Sequence, residues 1–266
     1  MKEFMYDVNI GLIVIALFIA MVLAIEIGFR IGIRRKDTAS KASRVHINAI
    51  QASILGILAL LLGFTFSLSL QRYDRRSDAV VDEANAIHAS YLRAQLIAGP
   101  FQEEVRALLR DYLDLRIKEG DISLDQHDAR NVMLAKAKQN QTALWGYCRR
   151  LAASDPTSEP VTLFIQSVSD VIDTFNKREA ALDRHVPEVV LMLMYSAFLM
   201  AASIIGFTSG VAGHRPSASS YVMVGVMVIL IFVILDLDRP RRGLINVSHQ
   251  SFFELQKTMN EEESTK

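Results

Sequence analysis

Two groups of arginines and aspartates stand at the ends of apolar runs. Arg72, Arg75 and Arg76 follow a run that closes at Leu70, with Asp74, Asp78, Asp82 and Glu83 interleaved. Asp236, Asp238, Arg239, Arg241 and Arg242 follow another that closes at Leu235. Guanidiniums grouped this way hold anions through paired N–H donors, and carboxylates at the end of an apolar run are costly unless a cation meets them. The chemistry is therefore electrostatic. The clusters can clamp one span to another, through Asp236 or Asp238 to Arg72, Arg75 or Arg76, or ring a charged mouth that gathers anions. The plain alternative is anchoring, with arginines on lipid phosphates and carboxylates in water.

A second constellation precedes the first cluster. Ala52, Gly56, Ala59, Gly63 and Ser67 recur every three or four positions and share one helical face. Small residues let helices approach closely in lipid, and stripes of this kind mostly serve packing. The sharper reading is a narrow pore lined by Gly56, Ala59, Gly63 and Ser67, with Phe64 or Phe66 closing it by dewetting. Ala197, Ala201, Ala202 and Gly206 repeat the theme and do not discriminate. Glu26, the one acid well inside an apolar run, has Arg30 four residues on, in the favourable order for a helical pair at the interface.

Enzyme chemistry has no foothold, and no catalytic residue, metal or cofactor is expected. The six histidines are dispersed without an HExxH pair, and there is no P-loop and no GxSxG. The single cysteine, Cys148, excludes an intrachain disulfide framework and a cysteine metal cluster. A net charge of zero gives no argument for nucleic acid.

The positioning elements are membrane helices. Mean hydropathy is +0.23 although 22% of residues are charged, so charge and apolarity are segregated along the chain. Residues 71–185 carry 16 Lys/Arg and 18 Asp/Glu, while four runs are nearly free of charge. The expected fold is all-α, with four spans at about 8–29, 49–70, 187–207 and 221–237. The fourth is short, about 25 Å at the helical rise. The expected organisation is a transmembrane hairpin over 1–70, a helical extramembrane domain over 71–186, a second hairpin over 187–237, and a juxtamembrane motif and tail over 238–266.

Four spans place the exits of the second and fourth on one face. Apolar spacing carries the second span onward as one long helix to a break at Gly99-Pro100. Further helices are expected to Lys118, over 125–153, and from Val161 towards the third span, with Pro187 as a kink. The tail holds a capping pattern at Ser251 and Glu254 and an acidic end, Glu261 to Glu263, expected to be disordered. Loop 31–48, with Arg34, Arg35, Lys36, Lys41 and Arg44, argues for a cytoplasmic loop and an external domain. The many cations at span ends on the opposite face argue the reverse.

GFTFSLSLQRYDRR at 63–76, EANAI at 83–87, YLRA at 91–94, LLRDYLDLR at 108–116 and DLDRPRRGLI at 236–245 resemble the bacterial bestrophin-like membrane family, in that order and over most of the chain. The four-span layout, Leu62-Gly63-Phe64 and Arg72-Tyr73 are in turn more distantly similar to true bestrophins. These are pentameric ion channels whose second span lines the pore and whose helical domain is cytoplasmic. The resemblance implies a multi-pass protein of the bacterial inner membrane, in contact with lipid, assembled as a homo-oligomer and conducting inorganic ions. Calcium gating is not implied, because the mixed-charge DLDRPRRG replaces the acidic calcium clasp of animal bestrophins. Two functional readings stand: an oligomeric ion channel, for anions, with the second span lining the pore; or a non-conducting scaffold or sensor that binds a partner through 71–186.

Overall fold

The computed structural model describes residues 9–37, 41–97, 100–123, 126–239 and 243–264, the side chains of 41–44 and 263 excepted. The described residues form eight helices and no strand: α1 (Ile10–Arg34), α2 (Lys41–Ala94), α3 (Phe101–Gly120), α4 (His127–Ser154), α5 (Glu159–Leu182), α6 (Glu188–Ala212), α7 (Ala218–Asp238) and α8 (Gln250–Ser264). The all-α expectation holds. Four helices are long and apolar enough to cross a membrane: α1, the apolar part of α2, α6 and α7. The chain divides into two compact units, one of residues 1–71 with 185–239, the other of 72–184 with 240–266.

In the span unit the closest packing joins α1 to α6. Glycine makes this approach possible. A Cβ on Gly28 would stand 2.0 Å from the Ser203 carbonyl oxygen, and one on Gly32 would stand 2.2 Å from that of Phe207. Reciprocally, a Cβ on Gly206 would lie 1.9 Å from the Ile25 oxygen, and one on Gly210 2.4 Å from that of Phe29. Two GxxxG pairs, Gly28/Gly32 and Gly206/Gly210, thus interlock backbone against backbone, the contact that favours helix association where lipid supplies no hydrophobic drive. Met21, Ile25, Phe198, Ala202, Val224 and Ile231 fill the space alongside.

Two local expectations are corrected. α7 has 21 residues rather than about 17, because Ala218, Ser219 and Ser220 join it after Ser217 and Asp238 joins it at the other end. Small polar residues do not read as a span, yet their addition gives about 31 Å, enough for the hydrocarbon core. Pro187 does not kink a continuous helix. α5 ends at Leu182, and Pro187 is the cap before α6. Lacking an N–H and disfavouring a helical residue before it, proline separates the two helices.

The other unit packs the later part of α2 with α3, α4, α5 and α8. Ile87, Tyr91, Val105, Leu109, Leu144, Phe164, Val168 and Phe175 are its buried centre, at the helical spacing seen in sequence. The tail is ordered as helix to Ser264, with Phe252, Leu255 and Met259 in the same core. An apolar stripe, not the acidic end, decides its state. Ser248 Oγ accepts the Gln250 N–H at 3.2 Å, so Ser251 lies inside the first turn rather than capping it.

Candidate functional site

The stripe on α2 is exposed along its length. Gly56 and Gly63 have no neighbouring atom within 4 Å of a Cβ position, and Ala59 and Ser67 are exposed. Phe64 (61% exposed) and Phe66 (38%) flank it on either side. The opposite face of α2 holds the span unit: Leu58, Thr65 and Ser69 are buried. Thr65 Oγ1 donates to the Leu61 carbonyl at 2.8 Å and lies 3.7 Å from Met194 Sδ. Gln71 Nε2 donates to Ser67 Oγ at 3.2 Å, the one side-chain bond made on the stripe among the described residues. The small residues of α1 and α6 are thus consumed in packing, and those of α2 are not.

At the end of α7, Asp236, Asp238 and Arg239 are buried at 2%, 1% and 4% exposure. Asp238 Oδ2 accepts the Val186 N–H at 2.8 Å, and the Asp238 carbonyl oxygen stands 3.4 Å from His185 Nδ1. A carboxylate just ahead of α6 also meets the positive end of that helix. Arg239 lies close enough to act electrostatically on Tyr195 of α6. The pairing expected of Asp236 or Asp238 with Arg72, Arg75 or Arg76 would cross between the two units. Arg76 is buried and Arg75 is exposed. Arg241 and Arg242 lie outside the described residues.

Sequence reasoning missed the third constellation, a buried ion network in the helical unit. Glu83 of α2, fully buried, accepts Arg116 Nε at 2.7 Å on Oε1 and Arg178 Nη1 at 2.9 Å on Oε2. The Tyr112 hydroxyl donates to Oε1 at 2.9 Å and accepts Gln141 Nε2 at 3.1 Å. Arg116 Nη2 reaches Glu179 at 3.0 Å, and Arg130 bridges Glu179 and Glu119. Three arginines face three glutamates, so the cluster is neutral. Arg116 lies over Phe175 at 4.6 Å and Arg178 over Phe252 at 5.1 Å. His249, ahead of α8, has Nε2 3.1 Å from Arg178 Nη2, and its ring sits against Gly120, where a Cβ would stand 3.2 Å from it.

Burial alone would raise the Glu83 carboxyl pKa; the Arg116 and Arg178 guanidiniums overcome that and hold it below the ordinary carboxylate value. Burial, reinforced by the negative charge of Glu83, pushes the Tyr112 phenol well above its usual value. Burial pushes the Cys148 thiol up to about 12. The partners in this network are 33 and 95 residues apart, which no spacing rule detects. One signal was present: EANAI and LLRDYLDLR, two of the strings that carry the resemblance, contribute Glu83, Tyr112 and Arg116.

No group of three or more His, Cys, Asp or Glu side chains able to hold a metal converges among the described residues. The constellations are an open span face, a capped span end and a neutral buried lock. Comparison with curated proteins and with solved structures gave no match. A family model described as Bestrophin-like domain matches residues 13–252, nearly the whole chain. With four apolar helices to lie in lipid and this match along them, the chain is an integral membrane protein belonging to the bestrophin-like family.

Proposed function

We propose that the chain is one subunit of an oligomeric ion channel, conducting anions, in which the membrane part of α2 lines the pore. The observation that carries the reading is the exposed face of Gly56, Ala59, Gly63 and Ser67, flanked by Phe64 and Phe66. Had this stripe served packing within the chain, it would be buried as Gly28, Gly32, Gly206 and Gly210 are. Copies related by a ring bring such faces together around an axis. Their small side chains leave room for ions, and their apolar rings narrow the path. Arginines after Leu70 then favour anions at the mouth. The family's resemblance to channel-forming bestrophins supports the same assignment.

Chloride efflux from liposomes containing the purified protein tests it. Efflux above that of protein-free liposomes is expected, with a reduction in Gly63→Leu at unchanged insertion. Efflux equal to that of empty liposomes, for several anions and both signs of voltage, would overturn it.

A further inference from the structure

A cleft of about 340 Å³ lies on the helical unit between α2 and the end of α5. Arg75, Asp78 and Asp82 stand on the α2 wall, Lys177 and Arg184 on the other, and Ala79, Ala180 and Ala181 keep the groove open with small side chains. All five charged residues are exposed, and none makes an ion pair or side-chain hydrogen bond among the described residues. This differs from the buried centre of the unit, where Glu83, Arg116, Arg130, Arg178 and Glu179 are joined in one network. Asp78 and Asp82 are four residues apart on one helix, so their like charges repel, with Arg75 one turn before Asp78. Lys177 and Arg184 are seven apart, on one face, and unneutralised.

A simple anion would satisfy the cations and leave the carboxylates repelled; a metal ion would do the opposite. A group carrying both signs satisfies the two walls together. We propose that this cleft binds a zwitterionic phosphate–ammonium group. The phosphate accepts from Lys177, Arg184 and Arg75, and the ammonium donates to Asp78 and Asp82. Such a group is supplied by an ethanolamine phospholipid headgroup or by free phosphoethanolamine. The position suits the first source. Arg75 is five residues beyond Leu70 on the same helix, about 7.5 Å at the helical rise, and Arg184 is three residues before Pro187. The site is separate from the stripe on α2, and its occupancy does not depend on conduction.

Isothermal titration of the full chain, in a detergent free of amine-bearing lipid, tests the proposal. The probes are phosphoethanolamine, phosphocholine, inorganic phosphate and a short-chain phosphatidylethanolamine. Phosphoethanolamine or its lipid should bind saturably, about tenfold or more tighter than phosphocholine or inorganic phosphate. Lys177→Ala and Asp82→Asn should each weaken that binding by about tenfold, with helical content and melting unchanged because both side chains are exposed. Tighter binding of the lipid assigns the site to a headgroup, and tighter binding of the free compound assigns it to a soluble ligand. Equal affinity for all four probes, no saturable binding, or insensitivity to both substitutions overturns the proposal.

Discussion

Removing the Glu83 carboxylate would take from the buried Arg116 and Arg178 the nearer of the two carboxylates they share, leaving Glu119 at 3.4 and 3.7 Å. Breaking a buried ion cluster from one side costs about 3–5 kcal/mol, so Glu83→Gln should lower the melting temperature of the helical unit sharply. Because the folded pKa of Glu83 is depressed, its stabilisation is fully present above the unfolded carboxylate value of about 4.3. It is lost as pH falls from there through the lower folded value. Circular dichroism melts against pH should show this acid limb in the native chain and a flatter one in Glu83→Gln; identical limbs would assign acid sensitivity to other carboxylates. The Glu26–Arg30 pair was legible, since four-residue spacing places partners on one face, and it forms at 2.8 Å. Exposed as it is, it adds little stability. The Glu83 network was not legible, because only tertiary packing brings its members together.

Glycines in three helices have opposite duties, and substitutions should separate them. Gly206→Val forces a side chain into the Ile25 backbone. Overpacking of this kind costs about 1–3 kcal/mol even where side chains can yield, and here the obstacle is backbone. Loss of folded yield in detergent is the expected readout. Gly63→Ala meets open space, so folding should be retained; equal loss in both variants would contradict the division. The helix periods of the spans and of the domain were readable from apolar spacing. The GxxxG pairs at Gly28/Gly32 and Gly206/Gly210 were also present in sequence. Their weight over the longer stripe on α2 was not, because spacing shows which residues share a face and not which face another helix covers. Pro187 illustrates the same limit: its dihedral restriction predicts an interruption, but the Asp238 carboxylate that accepts the Val186 N–H is 52 residues away.

At the scale of the whole molecule, a long apolar face of α2 is left uncovered by the described residues. In the proposed assembly, neighbouring copies complete it. Native mass spectrometry of the detergent-solubilised protein should therefore report a closed ring of more than two copies, and a monomer at all concentrations would contradict the assembly. The four spans could be counted in sequence from hydropathy alone; assembly could not, because a small-residue stripe reads alike whether it packs inside a subunit or faces an axis. Cys148 aids the decisive test, since it is buried and its thiol is held up to about 12, leaving it poorly reactive at neutral pH. A Gly63→Cys variant thus reports on its own position. The most direct measurement is anion flux through reconstituted Gly63→Cys protein before and after a charged, water-soluble thiol reagent, with the unsubstituted chain as control. Measurable flux is expected, blocked by the reagent in the variant and unchanged in the control. Flux that persists in the fully modified variant would contradict a pore lined by α2.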